Sequence, residues 1–222
     1  MEDLKLAAKR DLQTKFFDYG EKEVKHIVSV DPLLGAVISR IGHLYREVIP
    51  NLFPALIYNI VSQLVSLKGA ETVWGKMLER FGEITPGNLS LFSADQIQQC
   101  GMTMKKAVCI SEVSILVVKK ELDLDNFENL SDEEVVAQLT KIKGIGRWTG
   151  EMILILSMER PDVVSFGDLA IRKGMEKLYG IEKISKAQFD KYKSVYSPYG
   201  SVASIYLWEI SHLQEDLWKT IE

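Results

Sequence analysis

Apolar residues recur along this chain at three- and four-residue steps: Leu33, Leu34, Val37, Ile38 and Ile41, then Leu56, Ile60, Leu64 and Leu67. Such spacing lays one apolar stripe along a helix, and the alternation that marks a half-buried strand is scarce. The pattern predicts an all-α fold of about ten helices packed on one another.

Break signals divide the stripes. Asp31-Pro32 opens one helix, Pro50 and Pro54 bracket the start of another, and Gly69, Gly82 and Gly87 punctuate the middle of the chain. Ser93-Ala94-Asp95-Gln96 and Ser131-Asp132-Glu133-Glu134 read as N-caps, in which the serine oxygen takes backbone N–H groups left over by the first turn. Thr103 to Lys120 predicts a long helix, with a strand over the β-branched run Ile115 to Val118 as the alternative. Thr149 to Met158 is apolar on nearly every side and predicts a central helix. Gly200 to Trp218 predicts a closing helix with Val202, Ile205, Trp208 and Leu213 inward, and Trp74 and Trp218 are assigned to core packing. Without repeats or linker-like stretches, residues 1–222 read as a single domain.

Composition narrows the function classes. The chain carries 27 Lys and Arg against 31 Asp and Glu, a net charge of −4, so any site for nucleic acid has to be local. Cys100 and Cys109 are too few for a disulfide framework and are not spaced as metal or iron–sulfur ligands; they read as reduced, buried thiols. His26, His43 and His212 form no ligand spacing, so no metal centre is expected. With neither a secretory leader at the start nor a run long enough to span a membrane, the expectation is a soluble cytoplasmic monomer with no membrane partner.

One stretch stands out: Lys141-Ile142-Lys143-Gly144-Ile145-Gly146-Arg147-Trp148-Thr149-Gly150. A dinucleotide fingerprint is set aside, because Gly150 falls one place too late and the segment before the turn is helical. Two readings remain. The turn is an ordinary corner between helices with solvated charges, or it starts a helix so closely that a phosphate can sit on its free backbone N–H groups. Lys141, Lys143 and Arg147 put positive charge around it, as a backbone-phosphate contact requires.

Twenty residues beyond Trp148, Asp168 stands where an N-cap would be, before Leu169-Ala170-Ile171. Twelve helical residues carry the chain roughly 18 Å, and a nine-residue connection can span up to roughly 30 Å, so the chain can return Asp168 to the turn. The carboxylate either only caps a helix or also supplies a fixed anion to stabilise cationic character or orient a nucleophile.

Taken together, KGIGRWTGEM and SFGDLAIRKGM resemble the helix-hairpin-helix DNA glycosylase superfamily, and within it the 3-methyladenine DNA glycosylase II branch. DPLLGAVISRIG, IVSQLVSLKGAETV, GMTMKKAVCISEVS and YSPYGSVASIYLWEIS extend the similarity from about residue 17 to the C-terminus. The resemblance implies a two-lobed helical fold with lobes of approximately residues 51–165 and 1–50 plus 166–222. It puts the hairpin on Ile142 to Thr149, with DNA contacts from Lys143, Gly144, Ile145, Gly146, Arg147 and Thr149, and the catalytic aspartate on Asp168. Trp148 and Trp208 become the base-facing aromatics, Gln63 and Ser66 line the cleft, and Val48 and Ile49 fall near the wedge that fills the vacated base stack.

The implied partner is double-stranded DNA with alkylated bases. No cofactor is implied beyond a monovalent cation able to bridge hairpin carbonyls and phosphate, and the implied location is the cytoplasm, on the nucleoid of a bacterium or in the nucleus of a eukaryote. Departures from the family pattern matter as well. Gly200 stands where a basic residue is usual, the cysteines of the iron–sulfur branches are missing, and Trp148 holds the place of the lysine that bifunctional members use for Schiff-base chemistry. The expected activity is therefore monofunctional excision of alkylated purines. A non-catalytic hairpin module that binds duplex DNA, and a glycosylase for hypoxanthine or uracil, stand as alternatives.

Overall fold

The computed structural model describes residues 15–213. Within them the chain forms twelve α-helices, a 3-10 turn at Asp125–Asn129 and one two-stranded pairing of β1 (Lys15–Phe16) with β2 (Glu47–Val48). The helices are α1 (Glu21–Val30), α2 (Pro32–Ile41), α3 (Leu52–Ser62), α4 (Leu67–Phe81), α5 (Pro86–Leu89), α6 (Ala94–Gln98), α7 (Met104–Val118), α8 (Asp132–Thr140), α9 (Arg147–Leu156), α10 (Leu169–Leu178), α11 (Lys186–Tyr196) and α12 (Gly200–His212). They fall into two compact units, one of Lys15 with Glu47–Met158 and the other of Phe16–Arg46 with the chain from Glu159 onward.

The first unit is built around α3, whose residues from Phe53 to Val61 are all buried. Trp74 of α4 lies edge-on to Tyr58 with ring centroids 5.3 Å apart, in the core as expected. Ser93 and Ser131 each make the expected capping box, with Gln96 and Glu134. The run from Ile115 to Val118 is helical, as the continuation of α7, whose buried face is carried by Ala107, Ile110, Val113 and Ser114 before it; Ile115 and Val118 themselves are exposed. Gly82 ends α4 in a left-handed conformation at φ +70°, whereas Gly69 and Gly87 lie within the first turns of α4 and α5 and end nothing.

Helical periodicity misleads at one place in this unit. Leu64 and Leu67 continue the stripe of Leu56 and Ile60, yet α3 stops at Ser62 and both leucines are exposed. No Gly or Pro marks this stop.

In the second unit α1 and α2 meet at Asp31, whose Oδ1 accepts the N–H groups of Leu33 and Leu34 at 3.1 and 3.0 Å and whose Oδ2 accepts the Tyr179 hydroxyl. Burial pushes the Tyr179 and Tyr196 phenols far above the ordinary tyrosine range, so both remain proton donors. Helix α10 packs along α12 at Gly174, where an added Cβ would stand 2.1 Å from the Leu207 carbonyl oxygen. Gly200 is buried at the start of α12 and donates its N–H to Asp162 Oδ1 at 3.0 Å. A Cβ there would lie 2.7 Å from both Asp162 Oδ1 and a Val164 methyl, so a side chain at this position would require both of these side chains to shift. Helix α12 ends at His212 with Leu213 as its C-cap; Trp218 lies outside the described residues.

Candidate functional site

The two glycines of the 141–150 turn do different jobs. Gly144 sits at φ +102°, which favours glycine, and an added Cβ would lie 3.2 Å from Cys109 Sγ. Gly146 has an ordinary extended conformation and is the N-cap of α9, with no atom within 4 Å of an added Cβ. Gly144 thus makes the bend, and Gly146 leaves the start of α9 open to a ligand. Helix α9 begins two residues earlier than its apolar pattern suggests, which brings Arg147 and Trp148 into the first turn, where N–H groups lack an intrahelical partner. Gly144→Ala is expected to cost about 1–3 kcal/mol through the left-handed backbone and the contact with Cys109, read as a lower urea midpoint. The Cys109 thiol is buried and pushed up to about 12, an inert packing group beneath the turn.

Gln63 braces the turn from α3. As C-cap of that helix it points Nε2 at the Gly144 carbonyl, 3.1 Å, and at Thr149 Oγ1, 3.2 Å. The Thr149 side chain is buried as Gln63's partner, and Ile145 is buried with its N–H given to the Ile142 carbonyl. Arg147 is engaged too: Nε donates to Glu151 Oε1 at 2.9 Å, and its other nitrogens grip both oxygens of Glu133. These pairs oppose its charge with two carboxylates at the protein surface and raise its already high proton affinity. Lys141 and Lys143 stay exposed beside the bend.

The expected wedge is corrected by burial. Val48 is 3% and Ile49 8% exposed, and Ile49 is tied by its N–H to the Leu156 carbonyl and by its carbonyl to the Ser157 hydroxyl. Leu64, which sequence reasoning assigned to the helical stripe, is instead fully exposed at φ 55°. A leucine held in left-handed conformation and stripped of apolar contacts bears two costs at once, and such residues cluster where the strain has a use. Ser66, three residues after Gln63, caps α4 through the Gly69 N–H at 3.2 Å.

In the second unit Asp168 is 7% exposed and caps α10, with Oδ1 accepting the Ile171 N–H at 3.0 Å. The same oxygen accepts the Trp208 indole N–H at 3.1 Å. Trp208 is itself 7% exposed, and the guanidinium of Arg46 stands over its ring, 4.6 Å from the centroid. The indole therefore serves first to orient the carboxylate, and a base can stack on the covered face only after Arg46 leaves it. Trp148 is half-buried in the other unit. His26 and His43 serve packing, through the Ser197 carbonyl and the Tyr19 ring respectively, and His212 ends α12.

The first unit thus contains a glycine bend opening a helix start and an exposed strained leucine tethered to that bend, and the second contains a buried carboxylate with one oxygen that accepts two hydrogen bonds. A family model described as HhH-GPD superfamily base excision DNA repair protein matches residues 57–196. DNA-3-methyladenine glycosylase 1 of Schizosaccharomyces pombe is 33% identical over 172 residues, covering 73% of this chain and 74% of that one. Among solved structures, a 3-methyladenine DNA glycosylase of the same yeast in complex with abasic DNA is similar at TM-score 0.77 and 28% identity, over 87% of this chain and 98% of that one. A DNA-3-methyladenine glycosidase from Bacillus halodurans is similar at TM-score 0.77 and 32% identity, over 90% of this chain and 93% of that one.

Proposed function

The chain belongs to the HhH-GPD superfamily of base excision DNA repair proteins and is a DNA glycosylase; from that premise we propose that it removes alkylated purines such as 3-methyladenine from duplex DNA without cutting the strand. The observation that carries the reading is Asp168, a buried carboxylate oriented by the Ile171 and Trp208 N–H groups.

A base inside a stacked duplex hides its glycosidic bond, so the nucleotide has to be turned out of the helix. Leu64 is the side chain suited to fill the vacated stack, since it projects into solvent from a loop fastened to the hairpin by Gln63. The open start of α9 at Gly146, with Lys141 and Lys143 beside it, suits the phosphate backbone. The carbonyls of Ile142 and Gly144 each accept one hydrogen bond and keep a second lone pair, which fits a monovalent cation facing that phosphate.

Alkylation at N3 or N7 makes the purine a good leaving group. As its bond to the sugar breaks, the electron pair goes with the base and the sugar carbon gains oxocarbenium character. The Asp168 carboxylate stabilises that charge or aligns the water whose oxygen then bonds to the carbon and whose proton is released to solvent, giving a free neutral base and an abasic site. Trp208→Phe keeps a ring but removes the N–H that orients Asp168, and is expected to slow single-turnover excision about tenfold with DNA affinity retained.

Trp148 in place of the lyase lysine supports the monofunctional reading. The test incubates the protein with duplexes each carrying one lesion: 3-methyladenine, 7-methylguanine, hypoxanthine or uracil. Release of free methylated purine, an intact abasic strand and no borohydride-trapped adduct are expected. A trapped adduct would assign lyase chemistry, preferential release of hypoxanthine or uracil would move the substrate class, and salt-dependent DNA binding without release would leave only a binding module.

A further inference from the structure

Lys106, on α7, has no part in the chemistry above, yet its amine reaches across to the end of α3 and donates to the carbonyls of Val61 at 2.8 Å and Gln63 at 2.6 Å. Those are carbonyls that a terminating helix leaves without partners, at the negative end of its dipole. The same Gln63 sends its side chain to Gly144 and Thr149, so one residue is held by its backbone from α7 and holds the hairpin with its amide. Leu64 follows directly, exposed and left-handed. Burial draws Lys106 below the ordinary lysine range, as expected of an amine taken out of water.

We propose that Lys106 is a positioning residue: with Gln63 it forms a brace that stops α3 at Ser62 and keeps Leu64 presented beside the hairpin before DNA arrives. Two facts require such a device. The apolar periodicity of α3 favours continuing the helix through Leu64, which would turn that side chain inward, and no glycine or proline opposes this. A leucine also resists left-handed backbone unless its surroundings over-determine it. Lys106 supplies donors to carbonyls that further helix would otherwise claim, and Gln63 ties the turn to Gly144. The ordering of the loop is thereby completed on folding, so less is lost when the wedge enters the duplex.

The inference rests on the wedge role given to Leu64, and the experiment separates the two. Single-turnover excision of one methylated purine is measured in two duplexes, with the lesion opposite its normal partner or opposite a mismatch that already loosens the pair. A 2-aminopurine beside the lesion reports eversion. Lys106→Met is expected to slow excision from the matched duplex about tenfold and from the mismatched duplex less than about twofold, with a weaker 2-aminopurine signal, because only the matched pair needs the wedge held in advance. Lys106→Arg, still able to donate to both carbonyls, restores the matched rate. Equal losses on both duplexes, or no loss on either, overturn the brace. A Leu64→Ala variant that leaves the matched-to-mismatched ratio unchanged overturns the wedge reading beneath it. A Leu64→Ala variant that lowers the ratio while Lys106→Met does not overturns the brace alone.

Discussion

Asp168→Asn is expected to lower single-turnover excision of 3-methyladenine by about two to three orders of magnitude while leaving the unfolding midpoint and duplex binding near their original values. Asp168 receives both of the hydrogen bonds named above, from the Ile171 N–H and the Trp208 indole, on Oδ1. An asparagine carbonyl oxygen can accept both, and asparagine caps helices about as well as aspartate does. What disappears is the negative charge, and with it the stabilisation of a sugar that becomes cationic as the base departs. Excision at an unchanged rate in the variant, with free base measured by chromatography, would remove Asp168 from the chemistry and return it to capping alone.

Gly174→Ala is expected to destabilise the protein by about 3 kcal/mol or more, with a fall of roughly 6–12 °C in the melting temperature. The added methyl would meet the Leu207 carbonyl oxygen at 2.1 Å and its Cα at 3.0 Å, and these are backbone atoms that cannot turn aside. Helices α10 and α12 would have to separate. One carries Asp168 at its start and the other carries Trp208, so the same movement breaks the 3.1 Å bond between them and excision falls along with stability. Gly75→Ala is the control: a Cβ there has no atom within 4 Å, and alanine suits a helix interior better by about 0.5–1 kcal/mol, so stability should hold or rise. Equal melting curves for Gly174→Ala and the parent would refute the close crossing of the two helices.

Much of the local structure is legible in the chain because its causes are local. The Ser93 and Ser131 capping boxes need only residues three apart, and the start of α2 at Asp31-Pro32 needs only its own side chain and a fixed φ. The end of α3 is different. No glycine or proline between Ile60 and Leu67 announces it, and the contacts at this end come from Lys106, 43 residues beyond Gln63, and from Gly144, 81 residues beyond. Periodicity alone puts Leu64 on the helical stripe of Leu56 and Ile60, and the family resemblance puts the wedge near Val48 and Ile49, which the fold buries. Arg147 shows the same gap from the other side. Its charge near a phosphate-binding turn suggested a DNA contact, but Glu133 and Glu151 already take its donors.

By itself, then, the sequence determined the helical class, most helix starts, the glycine bend and the identity of Asp168 as a cap with chemical potential, because each depends on neighbours within one or two turns. Only the tertiary structure decided which glycines admit no side chain, which cation is held by carboxylates, and which apolar residue is left outside. Those outcomes are set by atoms that come together across many tens of residues, and by whether a buried polar group finds its partner when they do.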